Sequence, residues 1–205
     1  MELLEHYPGI RLATAKDSEN IKAFYNSTAM DASSLVLSYI REPNFFSFLS
    51  YQGDEQYVFL AENDEKEIAG VGTLTIREGY VKGQLSRLGY LSDLRVDKSL
   101  MSRDFSKIWK DFYAHLIREI KVIPELKCDF LITAIMAGNK KAKKALVNKP
   151  DNDFHYEKIC DYSLINILTT YKSINKDKEL IVSRCTNMSE VLDYLEKHNK
   201  EREFG

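Results

Sequence analysis

Three apolar runs in immediate succession constrain the fold more than any other feature. They lie in QYVFLAENDEKEIAGVGTLTIREGYVKGQLSRLGYLSDLRV, Gln56 to Val96. Val, Ile, Leu, Thr, Tyr and Phe dominate each run, and two polar links, ENDEKE and the Gly-bounded EGYVKGQ, divide them. Short β-prone runs joined by tight polar links read as consecutive antiparallel strands. A helix follows, from about Arg103 to Ile120. There Phe105, Ile108, Trp109, Phe112, Leu116 and Ile120 recur at helical spacing and make one apolar stripe. Trp109 falls on that stripe and reads as core.

The flanks fit an α/β domain. Ile10 to Ala13 is a short strand, and Asp17 or Ser18 is a helix N-cap ahead of inward-facing Ile21, Phe24 and Tyr25. A second helical piece is expected around Ser33 to Ile40. Pro43 then breaks or starts an element ahead of the apolar bulk of Phe45, Phe46 and Phe48. CDFLITAIM reads as a strand buried on both faces, NKKAKKALVNK as a short helix, and HYEKICDYSLINIL as one or two closing strands. The order β-α-α-β-β-β-α-β-α-β implies a mixed sheet. At the C-terminus, LIVSRCTNMSEVLDYLEKHNKEREFG repeats the strand, polar turn and amphipathic helix of GIRLATAKDSENIKAFYN. Ser189 stands as N-cap where Ser18 stands in the first copy.

Composition excludes several classes. The 205 residues carry 29 Lys and Arg against 31 Asp and Glu, a formal net charge of -2. That removes the bulk electrostatic case for nucleic acid. No apolar run approaches the roughly 20 residues of a membrane span, and the first residues carry acids where a signal peptide carries bases. Cytoplasmic residence is the default expectation. Cys128, Cys160 and Cys185 are odd in number and widely spaced, which fits neither a zinc pair nor a disulfide framework. Gly70 and Gly72 form a GxG inside a strand without the third glycine of a dinucleotide fingerprint, and read as close strand packing. His6, His115, His155 and His198 are scattered, and no metal site is expected. The lysines Lys140, Lys141, Lys143 and Lys144 read as a solvated helix face.

The element order, the strand YLSDLRV with the helix after it, and TAIMAGNKKAKKAL together resemble the GNAT (GCN5-related) N-acetyltransferases over roughly Gly9 to Thr170. STAMDASSLVLSYIREPNFFSFL and REGYVKGQLSRLGYLSDLRVD resemble the N-terminal domain of bacterial proteins with two such domains in tandem. The resemblance implies a mostly antiparallel central sheet flanked by helices over residues 9–170. It also makes residues 178–205 the opening of a second repeat. It further implies acetyl-CoA or another acyl-CoA as cosubstrate and direct acetyl transfer to a small-molecule or peptide amine. Neither nucleic acid nor membrane is an expected partner, and a homodimer stays open.

By the same resemblance, Leu94, Arg95 and Val96 would pair through their main chain with the pantetheine arm. The turn Ser102, Arg103, Asp104, Phe105 and Ser106 would meet the pyrophosphate at a helix N-terminus. Asn139 would contact the pantetheine arm. Asp93 is the candidate base, and a strand-bridging hydrogen bond is its equally strong structural role. The usual tyrosine acid would fall at Leu146, so Tyr156 or Tyr162 would have to replace it. The turn also departs from the family pattern: it has no glycine, and Asp104 places a negative charge where phosphate would lie. These departures leave a second reading open, a GNAT-fold binding module that has lost its cofactor loop.

Overall fold

The computed structural model describes residues 1–28, 30–32, 35–37, 40–147, 156–161 and 187–201. Strands β1 (Ile10–Leu12), β4 (Glu55–Glu62), β5 (Ile68–Val81), β6 (Gln84–Val96) and β7 (Phe130–Ile132) form one sheet in the order β1-β4-β5-β6-β7. All neighbours are antiparallel except β6 and β7, which run parallel. Parallel neighbours need a crossover, and helix α2 (Arg103–Glu119) supplies it. The β5–β6 link is a two-residue turn in which Lys82 and Gly83 both take positive φ, 51° and 77°. That backbone twist matches the strands it joins.

Strand alternation divides the core into two layers. Phe59, Ala61, Leu74, Ile76 and Leu91 pack with Trp109, Phe112 and Leu116 of α2. On the other face Val58, Leu60 and Val71 pack with Ile21, Phe24 and Tyr25 of helix α1 (Ser18–Ser27), and with Phe45 and Leu49. Because β4 is covered on both faces, it reads as the unbroken run YVFLA. Trp109 is core, as its periodicity requires. Gly70 and Gly72 lie within β5, where a Cβ on Gly70 would come within 3.2 Å of the Ala61 Cβ and the Met101 Cε. Close packing accounts for Gly70, whereas a Cβ on Gly72 would meet Trp109 and Leu94 at ordinary contact distances of 3.5 and 3.6 Å.

Three expectations are corrected. Within the piece expected to be helical around Ser33 to Ile40, Leu35–Leu37 is instead strand β3, paired antiparallel with β2 (Met30–Ala32). The run LVL is β-prone and too short to nucleate a helix. A 3-10 turn, Phe45–Tyr51, follows, with Asn44 accepting from the Phe46 and Ser47 amides at its start. Next, β7 is not buried on both faces among the described residues, since Phe130 is 44% exposed. Finally, helix α4 (Met188–Lys200) is capped by Asn187, which accepts from the Ser189 amide and hydroxyl, and not by Ser189 itself. Helix α4 lies against the β5–β6 turn, where Tyr80 Oη donates to Glu196 Oε1 at 3.4 Å. Of the expected closing strands HYEKICDYSLINIL, Tyr156–Asp161 is described and forms no strand; the rest of them, with His155, Tyr162, Cys185 and the strand expected before α4, lies outside the described residues.

Candidate functional site

The site begins where the parallel pair ends. β6 and β7 are in register only from Leu88–Phe130 to Tyr90–Ile132. One further bond, Thr133 Oγ1 to the Leu91 carbonyl at 2.8 Å, closes the ladder. Beyond it, among the described residues, no main-chain bond joins Ser92–Val96 to the segment after β7. β7 ends where this pairing ends, and the C-terminal end of β6 runs on with an unpaired edge, one side of a V with the segment that follows β7. The Asp97 amide donates to the Ala69 carbonyl on the β5 side. Alternation along a strand then turns the main-chain groups of Leu94 and Val96 toward the V, and those of Arg95 toward β5. Unpaired strand edges of this kind accept an added extended chain.

A bulge sets the angle of that edge. Thr73 faces Ser92 and Val71 faces Arg95, so β6 carries one more residue than β5 across this interval. Asp93 lies inside it at φ 53°, a conformation Asp tolerates better than most residues. A buried polar cluster clamps the bulge. Tyr25 Oη donates to the Asp93 carbonyl. Arg41 Nη2 donates to both Asp93 carboxylate oxygens at 2.9 Å. Arg95 Nη1 donates to the Tyr25 carbonyl at 3.0 Å, with its guanidinium 4.4 Å above the Tyr25 ring. Thr73 and Ser92 share a hydroxyl bond at 2.7 Å. Arg41 also stacks 4.4 Å from the Phe48 ring.

Burial pushes the Asp93 carboxyl above its ordinary range, and Arg41 foremost, with Arg95 and Thr73, pulls it back. A raised carboxyl suits a general base, yet both Asp93 oxygens are held by Arg41. Sequence reasoning placed Asp93 at this point but missed Arg41 and the Tyr25 hydroxyl. Tyr25 carried only its helical periodicity. Arg41 carried no local signal, because its partner lies 52 positions away.

The turn that follows is built around its own bonds. Asp97 accepts from the Ser99 amide and hydroxyl, and Met101 is buried. Ser102 caps α2, its Oγ accepting from the Phe105 amide at 3.1 Å, and the Ser106 amide donates to the Ser102 carbonyl. Phe105 packs over Gly9, where a Cβ would stand 2.7 Å from its ring. Ser102, Arg103 and Asp104 are exposed and Ser106 is half-buried. The Arg103 and Asp104 amides are thus the first-turn donors left without a partner among the described residues.

The remaining candidates are spread around this core. Asn139 caps the short helix α3 (Lys140–Ala142), its Oδ1 accepting from the Ala142 amide at 2.9 Å. Tyr156 lies beside Tyr113 of α2, and burial raises both phenols. Leu146 is half-buried in the helical turn after α3. His115 shares a 2.8 Å bond with the Tyr7 hydroxyl on the far layer. Among the described residues no group of His, Cys, Asp or Glu could hold a metal ion, and no helix is long and apolar enough to cross a membrane.

No protein-family model matches the chain, and no curated protein matches it. Solved structures do. The chain is similar to the crystal structure of a "probable acetyltransferase" at 18% identity, covering 76% of this chain and 96% of that one with a TM-score of 0.52. It is also similar to an aminoglycoside antibiotic 6'-N-acetyltransferase from Acinetobacter baumannii (15% identity, 77% and 97% covered, TM-score 0.47). A third is glucosamine-6-phosphate N-acetyltransferase from Arabidopsis thaliana (18% identity, 74% and 97% covered, TM-score 0.41). The first of these, with the sheet order and the V between the parallel strands, gives the chain a GNAT-like α/β fold: a mixed, mostly antiparallel sheet flanked by helices.

Proposed function

We propose that the chain is an acyl-CoA-dependent N-acetyltransferase, with the V between β6 and β7 as its acyl-CoA site. The observation that carries this reading is the free edge of β6 after Tyr90, held open at a clamped bulge. The Leu94 and Val96 main-chain groups fit the amides of a pantetheine arm, which would lie there as an added strand. Arg95 keeps its guanidinium on the Tyr25 side and contributes through the rigidity of the bulge. The exposed Ser102 and Arg103, with Ser106 behind them, are the groups available to a pyrophosphate. Phe105 anchors the turn to the core, and Asp104 opposes the anion. Asn139 would orient the arm through its Nδ2, because its Oδ1 accepts from the Ala142 amide as a helix cap.

When bound, the thioester supplies a carbonyl carbon for an amine to attack, with the CoA thiol as leaving group. The chain positions the reactants. Clamping of Asp93 by Tyr25 and Arg41 fixes the backbone at the bulge, and fixed geometry is a large source of rate. Asp93, held by Arg41, acts on the amine proton only through water, so the ammonium gives its proton to solvent before the neutral amine attacks. Tyr156 is the nearest analogue of a proton donor, made a poor acid by burial. The acetylation rate should therefore climb with pH toward the amine's own pKa, without a plateau set by an enzyme group. The acceptor is a small-molecule or peptide amine met in the cytoplasm.

A second reading has a specific observation in its favour. Asp93 is engaged by Arg41 and Asp104 stands in the first turn of α2, which suits a GNAT-fold binding module without catalysis. Calorimetry and thermal shift with acetyl-CoA and CoA separate the two. Binding in the micromolar range with acetyl-amine formation supports the enzyme. No heat and no thermal shift at millimolar ligand supports the module.

A further inference from the structure

Basic side chains flank the V on both sides. β6 and β7 run parallel, so the segments that leave their C-terminal ends emerge at the same end of the sheet. After β6, Lys98, Arg103, Lys107 and Lys110 are exposed. The last three follow i, i+4, i+7 spacing and form one stripe on α2, turned away from the buried Trp109, Phe112 and Leu116. After β7, Lys140, Lys141 and Lys144 are exposed on α3 and the helical turn that follows it. None of these cations takes part in an ion pair among the described residues. Of the acids in the same stretch, Asp97 accepts from Ser99, and Asp104 and Asp111 lie about a quarter-turn round α2 from the stripe. The whole chain has a formal net charge of -2. Unpaired cations gathered at one end of it make a local field that favours an acidic partner.

The V and the turn beside it suit different parts of a donor. The unpaired main-chain groups of Leu94 and Val96 suit the amides of pantetheine. The turn suits a diphosphate poorly. It has no glycine to let the backbone close on phosphate, the Ser106 amide is spent on the Ser102 carbonyl, and Asp104 is exposed in the first turn. What it offers is the Arg103 and Asp104 amides, enough for a monoanion at a helix N-terminus. Pantetheine joined to a single phosphodiester is the arm that carrier proteins bear on a serine. Such a protein would also give the two basic rims something to touch.

We infer that the V takes its acyl-pantetheine arm in preference from a small acidic carrier protein docked on these rims, with acetyl-CoA a weaker donor through the same arm. This rests on the V as an acyl-pantetheine site and changes only what lies at the far end of the arm. In the step itself the neutral amine forms the N–C bond and the thioester C–S bond breaks. The arm leaves on the carrier as a thiolate, and the proton lost by the attacking nitrogen returns to it through solvent.

Calorimetry on the full chain tests the docking surface without turnover. The ligands are CoA, an acidic acyl carrier protein bearing the arm with a free thiol, and the same carrier without the arm. The armed carrier is expected to bind at least tenfold tighter than CoA or the armless carrier, and to weaken steeply as salt is added. Charge reversal at both rims, Lys107→Glu and Lys110→Glu with Lys141→Glu and Lys144→Glu, should weaken the armed carrier at least tenfold. Acetyl-CoA turnover, read as kcat/KM, should stay within twofold. All four lysines are exposed, so this variant should keep the wild-type unfolding curve, and the ligand and salt comparisons use the unaltered chain. An armed carrier that binds no tighter than CoA, that ignores the reversal, or that loses no more than CoA does would overturn the docking surface. Turnover of acetyl-CoA would then still support the enzyme. Binding of neither CoA nor the armed carrier would remove both readings.

Discussion

Arg41 Nη2 stands 2.9 Å from both carboxylate oxygens of Asp93, with side chains only 6% and 9% exposed. A buried pair of this kind is costly to break from one side, because the surviving charge is left without compensation. Arg41→Ala or Asp93→Ala should each lose about 3–5 kcal/mol of stability by chemical denaturation. The apolar double replacement Arg41→Met with Asp93→Leu should lose far less than the sum. Additive losses would show that the pair is not coupled.

The same carboxyl sets a pH dependence of unusual sign. Burial raises Asp93 in the folded state, so the folded protein holds this proton more tightly than the unfolded chain. Its contribution is therefore greatest at low pH, and it falls as pH rises from the ordinary carboxylate range, about 4, through the raised value. Asp17 behaves oppositely. Hydrogen bonds from Arg11, then Thr14, hold its carboxyl well below the usual range. Its stabilisation is present above pH about 4 and disappears as pH falls. Melting curves of Asp93→Asn and Asp17→Asn against the wild type should give differences of opposite slope. Parallel slopes would contradict both assignments.

Asp104 is exposed at the first turn of α2, the turn proposed above to meet the pyrophosphate. Asp104→Asn should tighten CoA several-fold in calorimetry, and the gain should shrink as salt is added, since an exposed charge is screened. Equal affinity in both proteins at low salt would show that Asp104 points away from the phosphates.

Gly89 fixes how closely β6 approaches its parallel neighbour. A Cβ there would stand 2.7 Å from Leu131 Cδ2 and 2.9 Å from the buried Cys128 Sγ. Gly89→Ala should destabilise the protein by roughly 1–3 kcal/mol through overpacking. Loss of amide-exchange protection should concentrate at Leu88–Tyr90 and Phe130–Ile132. Protection lost evenly over the sheet would instead point to global loosening.

Much of the framework was legible in local sequence. Strands β4, β5 and β6, the stripe of α2 and the inward face of α1 follow from periodicities of two and 3.6 residues, which are fixed by backbone geometry; the expected link EGYVKGQ shrinks to Lys82–Gly83, because β5 runs on to Val81 and β6 starts at Gln84. The β2–β3 hairpin was misread because three-residue strands are too short to establish a period. The exposure of Phe130 was missed because an apolar run does not reveal how many of its faces are covered.

The sequence by itself determined a three-stranded antiparallel centre followed by a crossover helix, because hydrophobic alternation and turn chemistry act between near neighbours. Only the tertiary structure decided what Asp93 does. A carboxylate on a strand can be a base or one half of an ion pair, and the choice depended on Arg41 arriving from a distant segment to share its burial. Tertiary packing also brought Gln52 and Arg77 from separate segments to the lining of one cavity.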